Sequence, residues 1–487
     1  MKDRKGLARW MFLMVFVVSM FASCSDDDAD NAVLSFDVLS VYFSGAGAQK
    51  TVLFSARGVE RLYVSAKPQG WSDDNVVLDA ENRLVIITVP EQSADESVAS
   101  SGTITLAGYS SSNRSVSASL FVGIAGEKIL QGPANSFIAS EKETHYTFVP
   151  MRADGSDVQP VSVGVIWQSA GKLLQYVDLD EDNRISFYVG ADADRTDEIK
   201  RGNGLIGAYD AAGNLLWSWH IWTVPYDPEQ DMVEWNGYRL MSRNLGALNN
   251  ANTTAEERLA SYGLFYQWGR KDPFVGPGSY RANNGSSALI YNADGASTKL
   301  TFVESSAETG TESYALQHPL CFITGVGSNG YDWLWDDSAV GWSEQNDPCP
   351  YGWQVAPAEA FVGLQLDGQP TAADYDLFGW KLTDGATSSL FMAAGRRVYL
   401  NGKIQNVYQP AIVSDAVAVR SNPAEEAQPW VGLYWTADAA IDRNSKALYF
   451  WYDKKSALEG ETETGGVFPA ASYARANGMS VRCVKKQ

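Results

Sequence analysis

Residues 215–222 are Leu215-Leu216-Trp217-Ser218-Trp219-His220-Ile221-Trp222, and this stretch says most about the fold. Side chains alternate between the two faces of a β-strand, so Trp217, Trp219 and Ile221 share one face while His220 and Trp222 share the other. A strand with tryptophan on both faces is expected to be buried on both. The stretch therefore predicts an internal strand of a β-structure.

The chain before this strand is rich in strand and turn patterns. Region 33–130 contains short runs of period-two alternation, for example at 83–89, 103–106 and 117–122, separated by turn residues. Such a pattern, with no helical period, is typical of a β-sandwich. Region 134–228, which ends with the tryptophan strand, is predicted to be a second β-sandwich domain.

The C-terminal region, 232–487, combines helix and strand signals. Thr253 or Thr254, followed three residues on by Glu256 or Glu257, is a capping-box pattern that predicts a helix running toward Trp268. At 487 residues the chain is too long for one core, and two to four domains of about 100–200 residues are expected. The predicted fold class is multidomain and mainly β, with two immunoglobulin-like β-sandwich domains followed by an α+β domain.

The N-terminal residues have the pattern of an export signal. Basic residues are followed by an apolar stretch at 10–21 and then by the small residues Ala22 and Ser23. This order is what a signal peptidase requires, and the apolar stretch is too short to stay in a bilayer as a permanent helix. We therefore predict a signal peptide at 1–23.

Cys24 follows these small residues, and its position resembles that in a bacterial lipobox. The next residues, Ser25-Asp26-Asp27-Asp28, resemble the acidic export tag of Bacteroidetes surface lipoproteins. We therefore predict lipidation of Cys24, an acidic tether at 24–32 and an outer-membrane lipoprotein exposed at the cell surface. A plain secretory peptide with an incidental cysteine is the alternative interpretation.

The charge of the chain argues against nucleic-acid partners. The whole chain has 38 basic and 58 acidic residues, and four of the basic and one of the acidic residues precede Cys24. The mature chain is left with 34 basic and 57 acidic residues and a formal charge of −23. Such a charge opposes binding to nucleic acid or anionic lipid and suits a solvated extracellular surface.

The catalytic and metal-binding motifs that we sought in the sequence are absent or incomplete. Residues 325–330 match a dinucleotide-binding glycine pattern, but no helical run follows, so we interpret them as a loop. Residues 178–189 begin like a calcium loop, but Val189 stands where a bidentate Glu is required, which favours an acidic hairpin turn. We predict a non-enzymatic protein with no cofactor and no metal site.

One aromatic-rich segment stands out as a candidate ligand site. Aromatic rings stack on the C–H faces of sugars, and neighbouring carboxylates bond sugar hydroxyls. The candidate ligand-binding residues are Tyr331, Asp332, Trp333, Trp335, Asp336 and Trp342. The alternative is that these aromatic residues fill the core of a loop-rich domain. Ser338, in Asp337-Ser338-Ala339, is a possible O-glycosylation site because it resembles a Bacteroidetes sequon.

The C-terminal region resembles the Fibrobacter succinogenes major paralogous domain family, whose fold is C-type-lectin-like. The matching motifs are Met241-Ser242-Arg243-Asn244-Leu245-Gly246-Ala247, Gly263 to Phe274, Asp347-Pro348-Cys349-Pro350-Tyr351-Gly352-Trp353, Ala393-Ala394-Gly395-Arg396, Gly432-Leu433-Tyr434-Trp435-Thr436 and Ser480-Val481-Arg482-Cys483-Val484-Lys485. The β domains before it resemble the fimbrillin-like or immunoglobulin-like modules of such lipoproteins. The resemblance implies a Cys349–Cys483 disulfide, with Cys321 left as a buried thiol. Calcium-dependent sugar binding is not expected, because Trp430 follows Gln428-Pro429 where those lectins carry an acidic or amide residue.

Three functions remain open at this point. The first is a non-catalytic adhesin that binds a glycan or a surface protein of a host or neighbouring cell through the lectin-like domain. The second is a structural or tip subunit of a fimbria, assembled with other fimbrial subunits by strand exchange after cleavage at Arg57 or Arg61. An uncharacterised carbohydrate-active enzyme ranks third.

Overall fold

The computed structural model describes residues 32–43, 45–91, 98–124, 126–180, 182–279, 287–336, 342–406, 429–454, 457 and 464–487. The predicted signal peptide, Cys24, residues 25–28 and Ser338 lie outside these ranges. The chain forms two compact units: unit 1 contains the described residues up to Gly123 with Ala211–Gly213, and unit 2 contains Ile124–Asp210 with Asn214–Gln487. No helix within the described residues has the length and apolar composition needed to cross a membrane.

Unit 1 is a pair of four-stranded sheets. Its strands are β1 (Val33–Phe36), β2 (Ser40–Phe43), β3 (Gln49–Arg57), β4 (Arg61–Ala66), β5 (Val76–Asp79), β6 (Leu84–Thr88), β7 (Ser101–Tyr109) and β8 (Ser115–Ile124). The strand orders are β1-β3-β6-β5 and β2-β8-β7-β4. Alternate side chains are buried, including Val85 and Ile87 in β6 and Ile104 and Leu106 in β7. The mainly β, two-sheet architecture predicted for this region is confirmed.

The two candidate cleavage sites lie on either side of one turn in unit 1. Arg57 ends β3 and Arg61 begins β4. Three strands, β1, β2 and β3, precede these residues, so cleavage at either one would separate three strands rather than one from the rest of the chain in sequence. Release of a single donor strand, which strand exchange requires, is therefore not the result that this arrangement favours.

The first part of unit 2 also consists of strands. These are β9 (Gly126–Ile129), β10 (Ser136–Ala139), β11 (Thr144–Phe148), β12 (Ser162–Gln168), β13 (Gln175–Leu179), β14 (Ile185–Val189), β15 (Gly202–Tyr209) and β16 (Leu215–Thr223). They form the four-stranded sheet β13-β14-β11-β9 and the path β10-β16-β15-β12 of a larger sheet. β9 pairs in parallel with β11, so this strand, which the sequence assigned to the first β domain, adds to a sheet of unit 2.

The second part of unit 2 mixes short helices with strands. The helices are α1 (Ala255–Ser261) and α2 (Glu312–Gln317). The strands are β17 (Met232–Trp235), β18 (Tyr238–Met241), β19 (Tyr266–Gln267), β20 (Ile290–Tyr291), β21 (Ser297–Thr298), β22 (Thr301–Glu304), β23 (Cys321–Thr324), β24 (Trp353–Val355), β25 (Gln365–Leu366), β26 (Gly379–Thr383), β27 (Ser388–Met392), β28 (Arg396–Arg397), β29 (Ile404–Gln405), β30 (Trp430–Ala439), β31 (Asn444–Tyr452), β32 (Gly465–Ala474), β33 (Gly478–Val481) and β34 (Cys483–Lys485). The hydroxyl of Thr254 accepts the backbone N–H of Glu257, so the predicted capping box does begin α1, but the helix ends well before Trp268.

Several sheets organise this second part. One has the order β17-β18-β34-β24, and a larger one runs β29-β28-β33-β30-β31-β32, with β19 paired to β33. A three-stranded sheet, β25-β26-β27, and the pair β22-β23 complete the pairing within the described residues, while β20 and β21 extend the sheet that contains β12.

The tryptophan strand, β16, is internal as predicted. It lies between β10 and β15, and Trp217, Trp219 and Trp222 are each at most 1 % exposed. Trp217 and Trp219 pack into one hydrophobic cluster with Phe148, whereas Trp222 packs into another that includes Trp268. The second cluster contains residues from both sides of the predicted boundary between 228 and 232, so the two predicted domains share a core in unit 2.

A buried polar cluster reinforces this shared core. The ammonium of Lys271 lies 2.6 Å from a carboxylate oxygen of Asp272 and donates to the backbone carbonyl of Ser218 at 3.0 Å. The hydroxyl of Ser218 donates to the same carboxylate at 2.6 Å, and the Lys271 ammonium lies 4.5 Å from the ring centroid of Trp217. Both charged side chains are buried, so each compensates the desolvation of the other.

Candidate ligand-binding cleft

Two of the predicted ligand-binding residues are buried, which corrects their assignment. Trp333 is 1 % exposed, and its indole N–H donates to the carbonyl of Trp268 at 2.7 Å. Asp332 is fully buried and lies 3.4 Å from Arg475. Trp333 packs in a cluster with Ile323 and other apolar residues. Because they are inaccessible to solvent, Trp333 and Asp332 serve the core rather than a ligand.

The other four predicted residues differ in exposure. Tyr331 is half-buried, with its ring centroid 4.5 Å from that of Tyr399. Trp342 is half-buried, and its N–H donates to the carbonyl of Asn346 at 2.9 Å. Asp336 and Trp335, at 36 % exposure, face solvent. These four residues therefore present one exposed ring and one exposed carboxylate, rather than the aromatic surface that the sequence predicted.

The cysteines pair as the family resemblance implied. Cys349 and Cys483 form a disulfide with a Cα–Cα distance of 6.0 Å, and Cys321 is a free, buried thiol. The disulfide is backed by pairing of β24 with β34, in which Val355 lies opposite Cys483.

The acidic segment at 178–189 forms a turn between β13 and β14. A carboxylate oxygen of Asp180 accepts the backbone N–H groups of Asp182 and Arg184, at 3.0 and 2.7 Å. Such bonds are typical of an Asx-type turn. Among the residues that the structure describes, no group of three or more His, Cys, Asp or Glu side chains is placed to hold a metal ion.

A cleft of about 560 Å³ opens in the second part of unit 2. Its lining comes from two groups of residues. The first group, here called the loop side, is Asp231, Val233, Ser242 and Asn250–Thr253. The second, here called the hairpin side, is Asp367, Leu377, Gly379–Lys381 and Ser388–Leu390. The volume falls within the range of about 300–1,000 Å³ that is usual for small-molecule sites.

Hydrogen bonds fix the side chains that shape the cleft. The indole N–H of Trp380 donates to the carbonyl of Asp367 at 3.1 Å, which orients the half-buried ring. The amide of Asn252 donates to the carbonyls of Leu377 and Gly379, both at 3.2 Å, and so connects the two sides. On the loop side, the hydroxyl of Ser242 donates to Asp231 at 2.6 Å.

Other polar groups in the cleft are left available. The side chains of Asn250, Asp367, Lys381 and Ser388 have no hydrogen-bond or ion-pair partner among the described residues. They offer an amide, a carboxylate, an ammonium and a hydroxyl around one half-buried indole. This combination matches a ligand that has both C–H faces and many hydroxyl groups.

A buried arginine lies behind the hairpin side. Arg482 is 1 % exposed and donates to the hydroxyl oxygen of Ser389 at 3.2 Å and to the carbonyl of Leu390 at 2.9 Å. It also donates to the side-chain oxygen of Asn244 at 2.7 Å. Burial lowers the pKa of Arg482 to about 10, so the group stays charged at neutral pH.

The sequence did not reveal this cleft. Its residues span positions 231–390 and come from strand ends, loops and a hairpin, with Trp380 as their one tryptophan. An isolated tryptophan carries less signal than the aromatic-rich segment at 331–342, although that segment is the one that supplies the core. A stretch such as Asn249-Asn250-Ala251-Asn252, with three amides in four residues, was the available clue.

Comparison with known proteins adds only distant structural likenesses. No protein-family model and no curated protein matches the chain. Among solved structures, the protocadherin GammaB4 extracellular domain matches at 14% identity and a TM-score of 0.15, covering 40% of this chain and 35% of that one. The Ig1-2 module of the Drosophila receptor phosphatase DLAR matches at 10% identity and 0.15, covering 39% and 98%. Fibronectin(III)-like modules of Clostridium thermocellum CbhA match at 12% identity and 0.14, covering 39% and 93%. At these TM-scores the likenesses carry no argument about this chain, whose mainly β, multi-sheet fold rests on its own strand pairing.

Proposed function

We propose that this protein is a non-catalytic binding protein of the cell surface, anchored in the outer membrane through a lipid on Cys24, and that the cleft in unit 2 binds a glycan. The observation that carries the proposal is the half-buried Trp380 ring surrounded by unpaired polar side chains. The C-type-lectin-like assignment of 232–487 belongs to the same proposal, on the motifs quoted above.

The chemistry of the cleft supports a sugar better than an apolar ligand. A pyranose ring presents a C–H face to an indole and hydroxyls at its rim. Asp367 accepts hydrogen bonds, Lys381 donates them, and Asn250 does both, so hydroxyls in either role find a partner. An apolar ligand would leave these groups buried without partners, at about 1–3 kcal/mol each.

The test is a glycan array probed with the lipid-free mature chain, residues 25–487. Ser388→Trp places a large side chain in the cleft, and Ser472→Trp, at an exposed position of β32, is the matched control. We expect wild type and S472W to bind the same oligosaccharides and S388W to lose them. The bound oligosaccharides should remain uncleaved on prolonged incubation.

Two results would overturn the proposal. The first is that the folded wild-type chain binds no oligosaccharide on the array. The second is that S388W binds oligosaccharides as well as S472W does. The anchor is tested separately: Cys24→Ala should leave the protein unprocessed or release it from membranes, and normal processing with membrane retention would refute lipidation.

A further inference from the structure

We infer that Arg482 is a positioning residue of the cleft, which holds the hairpin side against the loop side and turns the Ser389 hydroxyl into a donor for a ligand oxygen. The choice of ligand rests on the proposed function, but the positioning of the two sides by Arg482 can be tested without a ligand. Arg482 lies outside the cleft lining and acts through the residues that it contacts.

The geometry of Arg482 spans both sides of the cleft. One nitrogen, Nη2, donates to Asn244 and also to the carbonyl of Leu390 on the hairpin side. Asn244 is a buried residue two positions after Ser242 of the loop side, and its amide donates in turn to Tyr262 and Tyr434. The guanidinium also stacks on Phe391, 3.7 Å from the ring centroid, between Leu390 and the end of β27. One side chain therefore connects three consecutive residues of the hairpin to Asn244, in the segment between Ser242 and Asn250 of the loop side.

The second consequence concerns Ser389. Its hydroxyl oxygen accepts from Nη1 of Arg482, so its own hydrogen cannot point back at the guanidinium. That hydrogen has no acceptor among the described residues, and Ser389 lines the cleft. A hydrogen bond to a charged donor is stronger than a neutral one and polarises the hydroxyl that accepts it. Ser389 is thus prepared to donate to an oxygen of the bound molecule.

Lysine does not replace this arginine. The planar guanidinium supplies several donors in a fixed geometry, whereas a lysine ammonium at the end of a flexible chain cannot reach Asn244, Ser389 and Leu390 in the same way. Arg397 offers a matched control because it is also 1 % exposed, lies in unit 2 and binds Val275, Gly402 and Ser287 rather than residues of the cleft.

The experiment compares Arg482→Lys with Arg397→Lys in chains carrying spin labels at Asn250→Cys and Ser388→Cys, one on each side of the cleft. Cys321 is buried and does not compete for the label in the folded chain. We expect R482K to shift or broaden the distance distribution between the labels, and R397K to leave it as in the parent. In unlabelled chains, R482K should weaken binding to the array-positive oligosaccharide by about tenfold, the worth of one positioned hydrogen bond.

Ser389→Ala tests the same idea without altering the arginine, should R482K fail to fold. It should keep the label distances and weaken oligosaccharide binding by about 3–10-fold. The inference is overturned if R482K and R397K give the same distance distribution, or if S389A binds like wild type. If no oligosaccharide on the array binds, the proposed function is refuted. The distances between the spin labels still test whether Arg482 positions the two sides of the cleft.

Discussion

Trp333 and Trp380 are both tryptophans of unit 2 with the indole N–H bonded to a backbone carbonyl, yet their surroundings differ. Trp333 is 1 % exposed and packs among apolar side chains in the aromatic-rich segment. Trp380 is half-buried in the cleft, near Asp367, Lys381 and other polar groups that have no partner among the described residues. The comparison teaches that the density of aromatic rings along the sequence does not show which ring is buried in the core and which lies in a cleft.

The largest expected effect comes from removing the buried ring. Trp333→Ala should lower the free energy of unfolding by about 3–5 kcal/mol, because it leaves a large cavity and an unpaired carbonyl at Trp268. Denaturant titration measures this loss, and the affinity per folded molecule should not change. Trp335→Ala, at the exposed ring of the same segment, is the control and should change stability by less than about 0.5 kcal/mol. If the W333A chain is as stable as wild type but has lost affinity for the oligosaccharide, the ligand site lies in the aromatic-rich segment instead.

The disulfide should have the next largest effect. It closes a loop of 134 residues and holds Cys483, next to Arg482, to the segment that follows Trp342. Replacing Cys349 and Cys483 together by Ala should cost about 2–5 kcal/mol of unfolding free energy, and reduction of the wild-type chain should cost about the same. Cys321→Ala is the control and should leave the response to reductant intact. Peptide mapping under non-reducing conditions that found Cys321 linked to either partner would contradict this pairing.

Asp347, at the end of the aromatic-rich region, should make stability depend on pH. Burial raises the pKa of Asp347 to about 6 from its ordinary 3.8. The folded state then binds this proton more tightly than the unfolded state, so the stabilisation is complete below pH 3.8 and is lost as the pH rises through about 6. The loss is about 3 kcal/mol.

Asp347→Asn should remove this pH dependence, as measured by denaturant titration at steps between pH 4 and 7. Burial also lowers the pKa of His220 to about 3. Because this histidine takes up a proton more readily in the unfolded chain, the free energy of unfolding decreases as the pH falls below 6.5. The two slopes oppose each other, so the difference between wild type and D347N isolates Asp347. Identical pH profiles for the two chains would show that this carboxyl does not titrate as a buried group.

Sequence reasoning succeeded where local pattern determines structure. The tryptophans of 215–222 sit on both faces of an internal strand, and the alternation at 83–89 corresponds to β6. Sequence reasoning was less informative where the burial of a side chain depends on residues that are distant in the sequence. Nothing next to Trp333 in the sequence shows that Trp268, 65 positions earlier, accepts its N–H. The cleft was missed for the same reason, since Asp231 and Ser388 are far apart in the sequence and line one cleft only in the folded chain.

The most direct test of the central claim is a pair of calorimetric titrations with an array-positive oligosaccharide. Trp380→Ala and Trp335→Ala each remove one partly exposed ring of unit 2, the first in the cleft and the second in the aromatic-rich segment. We predict that W380A weakens binding by about 1–3 kcal/mol while W335A binds like wild type. Unchanged affinity in W380A together with a loss in W335A would contradict the account.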